Sequence, residues 1–330
     1  MNASWKSRVR QSVLGTAGFA VARRLTAKVP RIIMYHGFGS DGDPHSGGLK
    51  ASAFKKQVEH IVRYYSPMTL RDLVSHKAAT GGYPRRAVVI TVDDGYSNFH
   101  DFAWPILREY RVPATVFVVT ELLENGGWIW TDKLRYVLRA GQSTSTAPAQ
   151  DPKSINKLMK KMPIPERDAY LAELAERNGV RIPEKAPTEF ALMGWDQLRE
   201  LQHSGLIEMG SHTRRHPILA RVGSDDSWSE LNGSKGDLER NLGTEIHSFC
   251  YPNGLEGDYR PDQVDMLRRA GYLCAAASHL GYVSKNSDWY ALPRIGAPAG
   301  EMNLWFKYLD GAEYLQRMLL RDIKRGTASL

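Results

Sequence analysis

Short apolar segments separated by helix-like stretches are the feature that most restricts the fold of this chain. Six segments have the length and composition of buried strands: Ile32–His36, Ala87–Val92, Thr115–Val119, Ile207–Gly210, Ser248–Tyr251 and Cys274–Ala277. Segments with helical character lie among them: Ala53–Tyr64, Ser97–Tyr110, Trp195–His203, Asp226–Asn241 and Pro261–Ala270. This alternation predicts an α/β fold with a largely parallel sheet or barrel, in which active residues gather at the C-terminal ends of the strands.

One stretch interrupts the alternation. Gly141–Pro152 is rich in Ser, Thr, Ala and Pro, which indicates a loop. Ser154–Arg177 then reads as a pair of helices divided at Pro163 and Pro165. We therefore expect a helical insertion over about residues 141–190 that decorates the barrel and forms no second core.

The remaining boundaries follow from charge and periodicity. Residues 1–30 form a basic extension, residues 31–300 the main domain, and residues 301–330 a C-terminal helical segment. Apolar side chains recur at helical spacing over Ala312–Arg325, with basic residues among them. A docked helix explains this pattern, and a basic membrane contact is the alternative.

The basic charge of the chain is concentrated at its N-terminus. Lys and Arg number 44 against 36 Asp and Glu, and no acidic residue occurs before Asp41. A nearly neutral body argues against nucleic acid as a partner, whereas a basic terminus favours contact with anionic lipid or an export signal. Cys250 and Cys274 both lie in apolar segments, which fits buried free thiols. We expect a cytoplasmic protein at the periphery of the inner membrane, with export through an N-terminal signal as the alternative.

Two adjacent carboxylates follow one predicted strand directly. Asp93 and Asp94 come after Ala87–Val92 and precede Gly95. Burying two neighbouring charges is unfavourable without a cation. Asp-Asp-Gly is also good turn sequence, so a plain turn explains this motif equally well when it is taken alone.

A second polar motif follows the predicted strand Ile207–Gly210. His212 and His216 are four positions apart, which places both imidazoles on one side of a helical turn, where one metal ion can bridge them. Pro217 disfavours helical conformation at His216, so the turn ends there. Pairs with this spacing are common, and most are ordinary surface or capping residues.

The two motifs together are more informative than either alone. Two His and one Asp supply the three protein ligands of a catalytic metal and leave the fourth position for water. A second Asp beside the ligand can act as a base toward that water. The combination predicts metal-assisted hydrolysis that needs no Ser or Cys nucleophile.

In this combination the sequence resembles the polysaccharide deacetylases of carbohydrate esterase family 4, which contain the NodB-homology domain. The resemblance covers roughly Arg31–Ala297. Thr91–Gly95, TVDDG, is similar to the family motif T-F-D-D-G, and His212–His216, HTRRH, matches the motif H-[ST]-x-x-H. Met34–His36, MYH, and Phe249–Gly254, FCYPNG, also look like segments of this family.

The resemblance implies a distorted (β/α) barrel of the NodB type and a role for each matching residue. Asp93 is the expected general base, and Asp94, His212 and His216 are the expected ligands of one divalent metal ion. That ion would usually be Zn²⁺, with Co²⁺, Mn²⁺ or Ni²⁺ as alternatives. The backbone N–H of Tyr251 would help to stabilise the oxyanion.

The chain departs from the family pattern within Phe249–Gly254. Cys250 occupies the position of an arginine that supports the catalytic Asp, and Asn253 occupies that of an aromatic residue. A base beside a metal-bound carboxylate needs a cation nearby to stay ionised. We predict that Arg294, from a later strand, replaces the missing arginine; an ordinary surface arginine is the alternative.

The general acid and the substrate contacts are less well defined. The family's late Leu-x-His motif, which supplies the acid, has no match here, and His36 at the end of the first strand is a candidate for proton donation and substrate contact. Trp128 and Trp130 are candidates for stacking on sugar rings, with a packed apolar cap as the alternative. Pro252 and Asn253 complete the expected substrate contacts.

The sequence therefore predicts a metal-dependent hydrolase that removes N-acetyl, or O-acetyl, groups from sugars of a surface glycan or its lipid-linked precursor. The alternatives are a hydrolase of small amides on the same barrel and a non-catalytic glycan-binding protein. The complete set of Asp and His residues counts against the first alternative, and the presence of Asp93 counts against the second.

Overall fold

Seven parallel strands close into a barrel in the computed structural model, which describes residues 18–42, 48–142, 151–297 and 302–327, except for the side chains of 142 and 321–327. In chain order these strands are β1 (Arg31–Tyr35), β5 (Ala87–Val92), β6 (Ala114–Val118), β7 (Ile207–Ser211), β8 (Ser248–Cys250), β9 (Cys274–Leu280) and β10 (Leu292–Gly296). Around the barrel the order is β1, β10, β9, β8, β7, β6 and β5, and β5 pairs with β1 to close it. The predicted α/β barrel is confirmed.

Three two-residue strands lie outside the barrel. β2 (Phe38–Gly39) and β3 (Leu49–Lys50) pair with each other, and β4 (Ser66–Pro67) pairs with Ala87 and Val88 at the start of β5. All six residues of β5 are buried, because a strand of a closed parallel barrel packs against side chains inside and helices outside. Such a strand reads as a continuous apolar run, as AVVITV does.

Helices follow most of the barrel strands. They are α1 (18–25), α2 (Ala51–Tyr64), α3 (Leu70–Thr80), α4 (Trp104–Tyr110), α5 (Glu121–Glu124), α6 (Trp130–Gln142), α7 (Pro152–Met159), α8 (Ile164–Arg177), α9 (Trp195–His203), α10 (Ser224–Trp228), α11 (Ser234–Leu242), α12 (Pro261–Arg269), α13 (Met302–Leu309) and α14 (Ala312–Thr327). Within the described residues, no helix is both long and apolar enough to cross a membrane.

Two predicted helices are interrupted by π-helical turns. The predicted helix Ser97–Tyr110 consists of a π-helical turn, Phe99–Ala103, followed by α4. Pro105 near the start of α4 has no N–H to donate to a preceding carbonyl, which favours a break in the α-helical pattern. The predicted helix Asp226–Asn241 likewise divides into α10, a π-helical turn and α11.

The insertion helices pack against the end of the barrel at which the strands finish. Residues of α6, α7 and α8 share one apolar cluster with Tyr96, which follows β5, and with Ile218, which follows β7. The two helices α7 and α8 match the predicted pair, and α6 packs with them. This cluster holds the insertion beside the loops that carry the aspartate and histidine motifs.

The two ends of the described chain meet at the opposite end of β1. The Arg23 guanidinium forms an ion pair of 2.8 Å with Asp310, and Phe19 and Phe306 have ring centroids 6.5 Å apart. Arg31, at the start of β1, is buried and donates from Nε to the carbonyl of Leu309 at 2.9 Å. The segment around α1 and the segment α13–α14 are therefore anchored to each other and to the barrel.

Candidate active site

The aspartate motif lies where β5 leaves the barrel. The backbone N–H of Asp93 still donates to the carbonyl of Tyr35, at 2.9 Å. Asp94 then adopts a left-handed conformation with φ 73°, and Gly95 continues it with φ 78°. Such a conformation is unfavourable for a residue with a side chain, and the sharp turn points the two neighbouring carboxylates at different partners.

The histidine motif follows β7 in a loop that is not helical. Thr213 and His216 both have left-handed conformations, with φ 68° and 58°. The N–H of His216 donates to the Thr213 hydroxyl at 3.0 Å, which closes the loop. The prediction of a helical turn is therefore wrong, but the two imidazoles still lie on the same side, as that prediction required. The His212 and His216 rings lie 4.8 Å apart, on the same side of the loop.

Three buried donor atoms converge on one point. Asp94 Oδ1 lies 3.4 Å from His212 Nε2 and 3.3 Å from His216 Nε2. A tetrahedral metal with bonds of about 2.0–2.1 Å places neighbouring ligand atoms roughly 3.3–3.4 Å apart, so the spacing fits such an ion. Burial would raise the pKa of Asp94, but the close contacts with the two imidazoles outweigh it and hold that pKa well below its usual value.

The second nitrogen of His212 is bonded in the way a metal ligand requires. His212 Nδ1 lies 2.7 Å from the carbonyl oxygen of Cys250. A carbonyl can only accept, so Nδ1 carries a proton, and in the neutral ring Nε2 is then the nitrogen whose lone pair is available to a metal. The corresponding Nδ1 of His216 is buried and has no partner among the described residues. The arrangement fits a divalent cation with Asp94, His212 and His216 as ligands.

Asp93, His212 and Cys250 also lie close enough together to form a set of potential ligands. Both oxygens of Asp93, however, are bonded to a guanidinium. Burial also raises the pKa of the Cys250 thiol, which disfavours the thiolate that would bind a metal. The set that contains Asp94 and both histidines is therefore the better candidate.

Arg294 reaches Asp93 from β10. Its two terminal nitrogens donate to the two carboxylate oxygens of Asp93, each at 2.7 Å, and both side chains are buried. Its Nε donates to the carbonyl of Ala277 at 2.8 Å. Burial would raise the pKa of Asp93, but the attraction and hydrogen bonds of Arg294 outweigh it and lower that pKa. This is the contact that the sequence predicted for Arg294.

The small side chain of Cys250 leaves room for this arrangement. Cys250 Sγ lies 3.2 Å from Arg294 Nη2 and 3.6 Å from Asp93 Oδ2. An arginine at position 250 would have to occupy the space that the Arg294 guanidinium fills. The Arg294 guanidinium reaches this space from β10, which comes later in the chain and lies next to β9 in the barrel.

The site opens into a cleft of about 770 Å³ between the barrel and the insertion. The barrel side includes Asp93, Asp94, His212 and His216, together with His36. The His36 side chain is 49% exposed, and its Nε2 lies 3.8 Å from Asp93 Oδ2, so it is accessible to a bound molecule. The volume is within the range of about 300–1,000 Å³ that is usual for small-molecule sites.

The prediction for the Tyr251 backbone does not fit this geometry. Its N–H donates to the carbonyl of Ala276 at 3.2 Å, so it is used in pairing with β9. Its ring is buried and stacks on Tyr259 with centroids 3.8 Å apart. Of this loop, Asn253 lines the cleft, whereas Tyr251 and Pro252 do not. The substrate contact of Pro252 stays a prediction.

The two predicted tryptophan platforms have different positions. Trp128 is 2% exposed, its Nε1 donates to the Pro183 carbonyl at 3.2 Å, and it does not line the cleft. The apolar cap is therefore the correct interpretation for Trp128. Trp130 is also largely buried, but it does line the cleft at the start of α6.

Sequence reasoning missed the polar residues that the insertion contributes to the cleft. Arg135 and Arg139 lie one turn apart on α6, and Lys160 follows α7. Asp132, also on α6, is fully buried behind this wall and accepts hydrogen bonds from Tyr96 at 2.6 Å and Arg135 at 2.9 Å. The four-residue spacing of the two arginines was a detectable signal, but exposed basic pairs on helices are common.

The fold and site together define the class of protein. A parallel (β/α) barrel that joins a buried Asp–Arg pair to a convergent Asp and two His, at the mouth of a cleft, is a hydrolase scaffold with a candidate metal centre. The family model for polysaccharide deacetylases matches residues 80–275. That match spans more than half of the chain, so the chain belongs to the polysaccharide deacetylase family, a family of hydrolases.

Individual relatives agree with this assignment at low identity. The chain is 22% identical over 267 residues to the poly-beta-1,6-N-acetyl-D-glucosamine N-deacetylase of Staphylococcus aureus (strain MRSA252), which covers 78% of this chain and 70% of that protein. It superposes on the Streptococcus pyogenes deacetylase PplD with a TM-score of 0.58 and 19% identity, covering 84% and 96% of the two chains. For IcaB from Ammonifex degensii, the TM-score is 0.56 at 15% identity, with 85% and 97% covered. These two structures support the barrel fold.

Proposed function

We propose that this protein removes N-acetyl groups from a polysaccharide with the help of one divalent metal ion held by Asp94, His212 and His216. The observation that carries the proposal is the convergence of these three residues, in which Asp94 Oδ1 lies 3.3–3.4 Å from both imidazole Nε2 atoms. When bound, such an ion would polarise the acetyl carbonyl and acidify a water molecule. Zn²⁺ suits the mixed nitrogen and oxygen ligands best, with Co²⁺, Mn²⁺ and Ni²⁺ as alternatives.

The residues around these donors have complementary tasks in this proposal. Asp93 takes the proton from the attacking water, and Arg294 keeps its carboxylate ionised and fixed in orientation. His36, which is half-exposed beside Asp93, donates a proton to the departing amine. The backbone of Asn253, left-handed with φ 61° and at the edge of the cleft, offers an N–H to the oxyanion in place of Tyr251.

The substrate class rests on the relatives. The curated proteins that the chain resembles are named for N-deacetylation of poly-beta-1,6-N-acetyl-D-glucosamine, and we propose an N-acetylated amino-sugar polymer, or its lipid-linked precursor, for this chain. Trp130, at the cleft, offers an aromatic edge to a sugar ring. O-acetylated sugars are the second substrate class, because an ester carbonyl presents the same geometry to the site.

Release of acetate tests this proposal. The metal-free protein and the same protein loaded with Zn²⁺ are compared on N-acetylated oligosaccharides, and we expect release only from the loaded form. Asp93→Asn should lower kcat by about 10²–10⁴-fold because the base is lost. His212→Ala should abolish stoichiometric zinc binding, whereas His76→Ala, on exposed α3, is the matched control and should retain it. Metal-independent release, or none from any glycan, would overturn the proposal.

We also propose that the terminal helices contact an anionic membrane surface from the cytoplasmic side. Large apolar side chains are exposed on both α1 and α14, at Val21, Leu25 and Leu319, and the basic residue Arg24 is exposed beside those on α1. Exposed apolar groups beside cations are the pattern of an interfacial helix. Sedimentation with anionic and neutral vesicles tests this, and equal binding to both, or to neither, would contradict it.

A further inference from the structure

Lys160 has an uncompensated charge in the cleft. It lies at the C-terminal end of α7, is half-buried, and lines the same cleft as Asp94 and both histidines. Its ammonium donates to the side-chain carbonyl of Asn253, which is a neutral acceptor. Among the residues that the structure describes, no carboxylate lies within ion-pair distance of it.

The other cations of the cleft wall are compensated. Arg135 is bonded to the buried carboxylate of Asp132 at 2.9 Å, and Arg139 forms an ion pair with Glu189. The carboxylates on the barrel side also have partners other than Lys160, because Asp93 is bonded to Arg294 and Asp94 faces the two imidazoles. The positive charge of Lys160 is therefore available to a ligand.

A second cation lies next to Lys160. Arg221 directs its Nε toward the carbonyl oxygen of Lys160 at 3.5 Å, and it has no carboxylate partner in the described part of the chain. It lines a narrow crevice that shares Trp130, Lys160 and Ile218 with the main cleft. The two cations thus come from different segments of the chain and line the same crevice, which borders the cleft.

Asn253 holds this edge in place. Its side-chain amide donates to Asp258, while its carbonyl accepts from Lys160. Asp258 also accepts from the backbone N–H of Leu255 at 2.9 Å, so its carboxylate is occupied within its own loop. The ammonium is oriented by a neutral amide, which fixes its position without neutralising it.

We propose that Lys160 and Arg221 bind an anionic group, a carboxylate or a phosphate, on the sugar next to the one that is deacetylated. This inference rests on the proposed deacetylase function and specifies its substrate class as an acidic N-acetylated glycan. Lysine and arginine together suit an anion with several oxygen atoms, because one supplies a point charge and the other a planar donor.

The test compares matched saccharides in acetate release and in direct binding. The neutral probe is a β-1,6-linked oligomer of N-acetylglucosamine, the carboxylate probe is a hyaluronan oligosaccharide, and the phosphate probe is a disaccharide of N-acetylglucosamine with a phosphate monoester on one of its two sugars. We expect an anionic probe to bind about tenfold more tightly than neutral N-acetylglucosamine saccharides in calorimetry, with a difference that shrinks as salt is added. The probe that is preferred identifies the source of the anion.

Variants separate binding of the anion from a structural link between the insertion and the barrel. Lys160→Met and Arg221→Met should each reduce the preference for the anionic probe about tenfold, and Lys160→Arg should preserve it. Lys161→Met, at the exposed neighbouring position, is the matched control and should keep the preference. If Lys160 only joined the insertion to the barrel, Lys160→Met would weaken binding of the neutral and the anionic probes by the same factor.

The inference is overturned if the wild-type protein binds neutral and anionic probes equally, or if Lys160→Met leaves their ratio unchanged. Calorimetry does not depend on turnover. Preferential binding of an anion without acetate release would therefore count against the proposed function while supporting this site, and the two failures are distinguishable.

Discussion

Asp93 at the end of the barrel and Asp132 on α6 are both buried, and each is bonded to an arginine. Their pKa values are nevertheless shifted in opposite directions. Arg294 donates twice to Asp93 and is itself buried, whereas Arg135 donates once to Asp132 and its side chain is 64% exposed. Burial would raise the pKa of each carboxyl. At Asp93 the arginine outweighs burial and lowers the pKa, whereas at Asp132 burial dominates and raises the pKa to about 6.

The difference shows that an arginine lowers the pKa of a buried carboxyl only when the geometry and burial of the ion pair are favourable. A buried arginine with two parallel bonds keeps its attraction because little water screens it. An arginine that is mostly in solvent is screened, and its single bond cannot compensate for burial of the carboxylate. Asp93 is thus held in its ionised form, whereas Asp132 keeps its proton up to about pH 6 and is ionised above it.

The largest effect is expected for Arg294→Met, which tests the ion pair of Asp93. The substitution leaves the Asp93 carboxylate buried without its cation, and we expect the free energy of unfolding to fall by about 3–5 kcal/mol. Urea unfolding at neutral pH measures this loss. The double variant Arg294→Met with Asp93→Asn should recover most of it, because the uncompensated charge is then gone. A loss below about 1 kcal/mol would show that the pair is not held as the structure has it.

Asp132→Asn tests the opposite shift through its pH dependence. The folded state retains the proton on Asp132 up to about pH 6, whereas the unfolded chain releases it near its usual value of 3.8. Folding therefore binds protons between these values, and wild-type stability falls relative to the variant as pH rises from about 4 to 6. The change should total roughly 3 kcal/mol, since one pKa unit corresponds to about 1.4 kcal/mol. Parallel urea titrations at pH 4, 5, 6 and 7 measure it, and a constant difference would contradict the raised pKa.

The barrel could be predicted from the sequence because its strands carry a strong local signal. β5 was predicted with its observed bounds, and β7 and β8 within one residue, since buried parallel strands are continuous apolar runs. β10 was absent from the six predicted strands because Pro293 and Arg294 break its apolar run. Arg294 was nevertheless placed on a later strand, because a buried carboxylate requires a cation.

The site was less predictable wherever backbone conformation decides the outcome. Spacing alone brought His212 and His216 together correctly, but it could not reveal that Thr213 and His216 are left-handed. The N–H of Tyr251, which the resemblance assigns to the oxyanion, donates to the carbonyl of Ala276 on β9 in the structure, and sequence spacing does not reveal this pairing. Lys160 and Asp132 were not predicted, because their positions depend on how the insertion packs over the barrel, and sequence periodicity does not encode that packing.

The smallest effect is expected for Arg135→Gln, and it completes the contrast with Arg294→Met. Arg135 is exposed and makes one bond to Asp132, so its loss should cost only about 0–1 kcal/mol at neutral pH. The pH dependence of this loss follows from the charge of Asp132. Removal of the cation raises the pKa of that carboxyl further, so the cost should appear only above about pH 6 and vanish near pH 4, where Asp132 is protonated in both proteins. Urea unfolding at those two pH values measures this. A loss comparable to that of Arg294→Met would mean that solvent does not screen the Arg135 pair, and exposure would then not explain why the two aspartates differ.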